Sequence, residues 1–172
     1  MNDQVIATPT RTVTLERVLP GPIERVWEYL VDSEKRKTWF AGGEFERHVG
    51  GKALLHFDHS QISDEKQSPE RYKDLPSDFA FTITKFEPPR LLAYTFPMCG
   101  EKSEVTFELS AHGKGVLLRL THRDIDERAV AVSVSAGWDA HVQILEDRLN
   151  GDTPRGFWTL HAKLEREYDQ KL

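Results

Sequence analysis

Apolar positions recur at spacings of three and four through residues 125–149, where Val130, Val134, Trp138, His141, Val142, Leu145 and Leu149 trace one continuous helical face. Asp124, with Glu127 three residues on, suits the start of that helix, and Asn150-Gly151 suits its end. Three valines and Gly137 weaken helix propensity locally, so the pattern tolerates a break between Ser133 and Gly137. The helical period predicts Trp138 and Leu145 buried, with Asp139 and Glu146 exposed.

Ahead of this helix the period is two. Stretches 11–19, 43–49, 52–59, 78–86, 90–96, 102–110 and 115–123 have strand character, about seven strands in all. Their connections at Gly50-Gly51, Pro88-Pro89, Met98-Cys99-Gly100 and Gly113-Lys114 are hairpin-sized and predict an antiparallel meander. Val105, Phe107 and Leu109 alternate with Glu104, Thr106 and Glu108, which gives the sheet one dry and one wet face. The dry face needs a cover, and the 125–149 helix has the length and the stripe to provide it.

Two short helices are predicted after the first strand. Pro22 suits the first turn of one, with Ile23, Val26, Trp27 and Leu30 as its stripe. Asp32 or Ser33 caps the other, 33–39, which presents Trp39 and Phe40 as it ends. Residues 60–77 are polar and too long for a hairpin turn, so they form a surface excursion, either a passive insertion or a lid over a cavity mouth. Thr153-Pro154 open a last helix whose stripe, Phe157, Leu160, His161, Leu164 and Tyr168, must be covered by its own fold or by a twin subunit in a homodimer.

Composition narrows the class. The 172 residues, 38% hydrophobic and 30% charged, fit a single domain, 1–172, with a core of about 11–150 and an added helix in 151–172. Acidic residues outnumber basic ones by 28 to 23, a net charge of −5, which argues against a nucleic-acid partner. Cys99 is the sole cysteine, excluding an internal disulfide and a cysteine-rich metal site. The first ten residues lack the basic and apolar blocks of a signal peptide, and no apolar run reaches membrane-spanning length. A cytoplasmic protein without a membrane span is expected.

Candidate chemistry is sparse. Leu118, Leu120 and His122 share one strand face, and His141 lies one turn from Trp138. Inside an apolar container, the two imidazoles either hydrogen-bond or protonate a ligand, or are satisfied by neighbours. His56, Asp58 and His59 have some metal-ligand character, but His59 faces away from the other two on a strand and no second ligand cluster accompanies them. No phosphate-binding glycine loop and no GxSxG elbow is present. No catalytic residue, metal or cofactor is assigned, and whether any reaction is catalysed stays open with binding favoured. The expected lining of a ligand site is Trp39, Phe81, Tyr94, Phe107, Leu118, His122, Trp138 and His141.

The order strand, two short helices, meander, long helix resembles the START-like helix-grip fold of the SRPBCC superfamily. More narrowly, it resembles the family named after the activator of the heat-shock-protein ATPase. The matching pieces are PGPIERVWEYLVDSEKRKTWF (20–40), HVGGKALLHF (48–57), TITKFEPPRLLAYTF (82–96), VTFELSAHGKGVLLRLTH (105–122) and AGWDAHVQILEDRL (136–149). The resemblance implies an α+β fold in which a curved antiparallel sheet grips the long helix and leaves a hydrophobic cavity between them. It also implies a small hydrophobic or aromatic ligand as partner, since the superfamily includes lipid and hormone binders. A cyclase- or hydrolase-type enzyme using the cavity histidines and a co-chaperone domain are the alternatives it carries.

Overall fold

The structure, a computed structural model, describes residues 10–65 and 67–172. The segment read for a signal peptide therefore lies, but for Thr10, outside the described residues.

Strand β1 (Arg11–Pro20) is followed by helices α1 (Ile23–Val31) and α2 (Ser33–Arg36), then by β2 (Lys52–His56), β3 (Asp78–Glu87), β4 (Leu91–Thr95), β5 (Glu104–His112) and β6 (Gly115–Ile125). Helices α3 (Arg128–Asn150) and α4 (Phe157–Lys171) complete the chain. The strands form one antiparallel sheet in the order β1-β6-β5-β4-β3-β2, so β6 folds back beside β1 while the rest is a meander. With the long helix α3 across it, this is the helix-grip arrangement.

The sheet among the described residues has six strands, not seven. Residues 42–46 run beside β2 and exchange backbone hydrogen bonds with it, for example Gly42 N to His56 O at 2.9 Å and Leu54 N to Glu44 O at 3.1 Å. They form only isolated bridges, at Gly42 and Phe45. Two features interrupt the ladder. Gly43 adopts φ 108°, which side chains resist, and its carbonyl accepts from the buried Arg36 guanidinium instead of from a strand.

Pairing β5 with β6 sets Val105 opposite His122, Phe107 opposite Leu120 and Leu109 opposite Leu118. All six side chains are buried, which builds the dry face from one register. Helix α3 runs unbroken through Ser133–Gly137 and ends where Gly151 turns left-handed at φ 73°. Its start is later than the Asp124 signal. Strand β6 continues to Ile125, which is fully buried, and Asp124 itself has φ 58° rather than a capping conformation.

Trp138 and Leu145 are buried against the sheet. Asp139 and Glu146 are only half-buried rather than exposed, because the outer side of α3 is also covered. Tyr168 of α4 donates to Asp139 at 2.8 Å, and Glu146 pairs with Arg17 of β1 and with Arg155. The 152–156 linker has no regular secondary structure, so α4 begins at Phe157 rather than near Pro154. The linker is tied down by Arg155, whose backbone N–H and guanidinium both reach the Asp147 carboxylate, at 3.0 Å each. The α4 stripe thus packs on its own fold, with Phe157, His161 and Leu164 buried.

Candidate functional site

Seven of the eight residues expected to line a ligand site lie in the packed interior. Trp39, Phe81, Tyr94, Phe107, Leu118, His122 and Trp138 are each no more than 5% exposed. Trp138 meets Phe40 and Phe107 at centroid distances of 4.8 and 5.6 Å, and Tyr94 meets Phe107 at 5.8 Å.

His122 is fixed there by a directional chain. An indole N–H can only donate, so Trp138 Nε1, 3.0 Å away, makes His122 Nδ1 an acceptor. The ring proton is then on Nε2, which donates to Ser103 Oγ at 2.8 Å, and Ser103 passes its own proton to the Arg123 carbonyl at 2.9 Å. Burial lowers the His122 pKa to about 4, so this ring is neutral near pH 7. It has no nitrogen left for a ligand.

A cleft of about 670 Å³ lies at the amino-terminal half of α3, bounded by four pieces of chain. Val130, Val134, Gly137 and His141 supply the α3 wall, spaced to share one side of the helix. Phe157, Trp158 and His161 supply the α4 wall, Phe79 and Phe96 the sheet end, and Phe57, His59 and Tyr72 the segment that carries the 60–77 excursion. Of the eight expected residues, His141 is the one that reaches this cleft.

Polar contacts knit the excursion to α4. Helix α4 starts at Gly156 without a side-chain cap of its own. Its first amides are taken instead by the excursion: Phe157 N donates to Ser63 Oγ at 3.0 Å and Thr159 N to Glu65 at 2.9 Å. Farther along, Arg71 and Tyr72 both reach Glu165, at 2.7 and 3.3 Å. The Tyr72 ring stacks on Trp158, centroids 5.2 Å apart and planes 23° from parallel.

Three histidines gather around these aromatic rings. His59 lies 4.7 Å from Trp158, 4.9 Å from Phe157 and 6.0 Å from His141, centroid to centroid. His161 contacts Tyr72 and Trp158, at 5.7 and 6.0 Å. Burial, then the neighbouring imidazoles, lowers the pKa of His59 to about 4 and that of His141 to about 3. His161 moves the same way, again chiefly through burial. The cleft is therefore lined by uncharged imidazoles near pH 7.

Cys99 is the thiol of this lining. Burial pushes the Cys99 thiol up to about 12, leaving it protonated and a poor nucleophile. No group of three or more His, Cys, Asp or Glu among the described residues is arranged to hold a metal ion. His56 turns out to Asp78 at 2.6 Å while His59 turns in, so the 56–59 residues do not converge. The Trp158 indole N–H is buried without an acceptor among the described residues.

The residues that sequence reasoning did not connect are Phe57, His59, Tyr72, Phe79, Phe96, Trp158 and His161. The available signal was an imidazole, His161, inside an otherwise apolar helical stripe, and a His59 next to a long polar excursion.

Comparison with known proteins adds context to this geometry. The sequence model described as "Activator of Hsp90 ATPase homolog 1-like protein" matches residues 20–150. No protein of curated function matches the chain. Among solved structures, the protein encoded by gene BPP1335 from Bordetella parapertussis is 42% identical with a TM-score of 0.81, covering 100% of this chain and 96% of that one. CalU16 from Micromonospora echinospora is 20% identical with a TM-score of 0.68, covering 94% and 87%. A subunit of the Aha1 dimer from Colwellia psychrerythraea is 16% identical with a TM-score of 0.61, covering 81% and 96%. The last two likenesses concern the fold. No helix among the described residues is long and apolar enough to cross a membrane.

Proposed function

The chain belongs to the family of Activator of Hsp90 ATPase homolog 1-like proteins, and on that premise we propose that it binds a small, mainly apolar and aromatic molecule in the cleft between α3, α4 and the 57–77 segment. The observation that carries this reading is the make-up of the cleft, about 670 Å³ walled by aromatic rings and uncharged imidazoles. Ligand pockets are typically of this kind, apolar with a few polar groups, and of roughly 300–1,000 Å³. Ring stacking and the removal of apolar surface from water supply the affinity.

Helix α4 lies beyond the family match yet contributes Phe157, Trp158 and His161. In this reading residues 11–171 act as one binding unit, and the excursion is a lid rather than a passive insertion. The polar bonds from Ser63, Glu65 and Arg71 to α4 make excursion and helix a single wall.

The test is titration with the uncharged dye Nile red of the parent protein, Trp158→Ala and Phe107→Ala, each also unfolded in urea. Saturable binding is expected in the parent and a clear loss of affinity in Trp158→Ala. Phe107→Ala should keep its affinity while losing about 3–5 kcal/mol of stability, the usual cost of truncating a buried aromatic. Loss of binding in a folded Phe107→Ala with none in Trp158→Ala would move the ligand into the core. Absence of saturable binding in the parent would refute the proposal.

A further inference from the structure

His141 lines the cleft, yet its ring is held from behind. Its Nδ1 lies 2.7 Å from the carbonyl oxygen of Trp39. A carbonyl can only accept, so Nδ1 carries the proton and Nε2 is an unprotonated acceptor. No described residue donates to that Nε2, and it is not among the fully buried unpaired atoms, where Trp158 Nε1 alone stands. His141 is 6% exposed and lines the cleft, the space to which that lone pair can turn.

We infer that His141 is the specificity-determining residue of the cleft, an obligate acceptor that selects an uncharged aromatic ligand bearing a hydrogen-bond donor, a ring O–H or N–H, over a carboxylate. The inference rests on the cleft being the ligand site and names the chemistry that the site reads.

Three further observations point the same way. The His59 ring, tilted against Phe157 and Trp158, has no hydrogen bond to a described residue, so either of its tautomers is available and it imposes no preference. Lys73 is the lysine or arginine among the described lining residues, and it pairs with Glu70 at 2.9 Å. Asp58 holds a negative charge at the rim, accepting from both the amide and the hydroxyl of Ser60. A carboxylate would therefore lose its hydration against lone pairs and an acid, and the one cation among the described lining residues, Lys73, is already paired with Glu70. His141 and His59 also resist protonation: burial holds both pKa values down, helped by His59 beside His141 and by His161 beside His59.

The experiment compares three probes with one ring system, 2-naphthol, 2-methoxynaphthalene and 2-naphthoate, by calorimetric titration of the parent protein and His141→Asn. Asparagine keeps a donor near the Nδ1 position for the Trp39 carbonyl and removes the acceptor at Nε2. The parent should bind 2-naphthol roughly three- to tenfold more tightly than its methyl ether, the worth of one net hydrogen bond, and 2-naphthoate least. His141→Asn should lose the preference for naphthol over the ether.

A second readout does not depend on the variant folding. Imidazole 15N resonances of the parent should report the Nδ1–H tautomer of His141, with the Nε2 signal moving on addition of 2-naphthol and not of its ether. Equal affinity for naphthol and ether, tightest binding of naphthoate, or an Nε2–H tautomer would overturn the inference while leaving the cleft as the site. If none of the three binds, the inference falls together with the proposed function.

Discussion

His122→Phe is the substitution whose cost follows most directly from the geometry. The ring is fully buried and links Trp138 Nε1 to Ser103 Oγ, which in turn donates to the Arg123 carbonyl. Phenylalanine fills similar space but leaves the Trp138 N–H without an acceptor, a penalty of about 1–3 kcal/mol for a buried donor. Ser103 keeps its bond to the carbonyl and loses one neutral hydrogen bond, about 0.5–1.5 kcal/mol more. The expected loss is about 2–4 kcal/mol. Trp138→Phe removes the orphaned donor, so the double variant should cost less than the sum of the two single variants, by about 1–2 kcal/mol. Urea denaturation followed by circular dichroism measures all three, with the denaturant slope checked for constancy. Additivity within about 0.5 kcal/mol, or a His122→Phe variant as stable as the parent, would refute the chain and return His122 to the list of free polar groups.

Two other outcomes follow from the same structure. The folded pKa values of His59 and His122, about 4, and of His141, about 3, lie below the ordinary 6.5, so between those limits the unfolded chain binds more protons than the folded one. The associated stability is fully present above about pH 6.5 and is lost as the pH falls toward 4 and below. Melting scans across that window should show it, more shallowly in His122→Phe, whereas a flat profile would contradict neutral burial. Glu65→Ala removes the acceptor for Thr159 N and for its hydroxyl at 2.5 Å, and should cost about 0.5–2 kcal/mol as other helix-cap deletions do. Hydrogen exchange at the Thr159 amide should accelerate in that variant, and unchanged protection would show that the excursion does not cap α4.

The elements that could be read from the chain are those whose cause is local. Val105, Phe107 and Leu109 alternate with Thr106 and Glu108 because one face of β5 is dry, and Asn150-Gly151 ends α3 through a backbone conformation that glycine favours. The failures have distant causes. Stretch 43–49 alternates like a strand, but Arg36 reaches across to take the Gly43 carbonyl, and no periodicity within the stretch carries that information. Asp139 and Glu146 look solvent-facing on α3 until Tyr168 and Arg155 are seen to meet them. The side-chain direction of His122 was legible from strand alternation, while its partner Ser103 becomes visible only through the contact of β5 with β6.

The cleft was illegible for the same reason, because its walls are far apart in the chain. The pairs that assemble it, Glu65 with Thr159 and Arg71 with Glu165, are each separated by 94 positions. Helix stripe and strand alternation identify which side chains turn inward, and so they delivered Phe107, Leu118 and Trp138, which are inward and packed. Distinguishing packed from open needs the third dimension. Here the opening is created by the excursion and α4, both outside the repetitive core.

The central claim is that ligand binds under the excursion and α4 rather than in the interior beneath α3, and chemical-shift mapping of the isotope-labelled protein with 2-naphthol tests it most directly. The account predicts saturable shifts concentrated at Phe57, His59, Tyr72, His141 and Trp158, with Phe107, Leu118 and His122 nearly unmoved. Shifts centred on Phe107, Leu118 and His122, or no saturable shift at any of these residues, would contradict it.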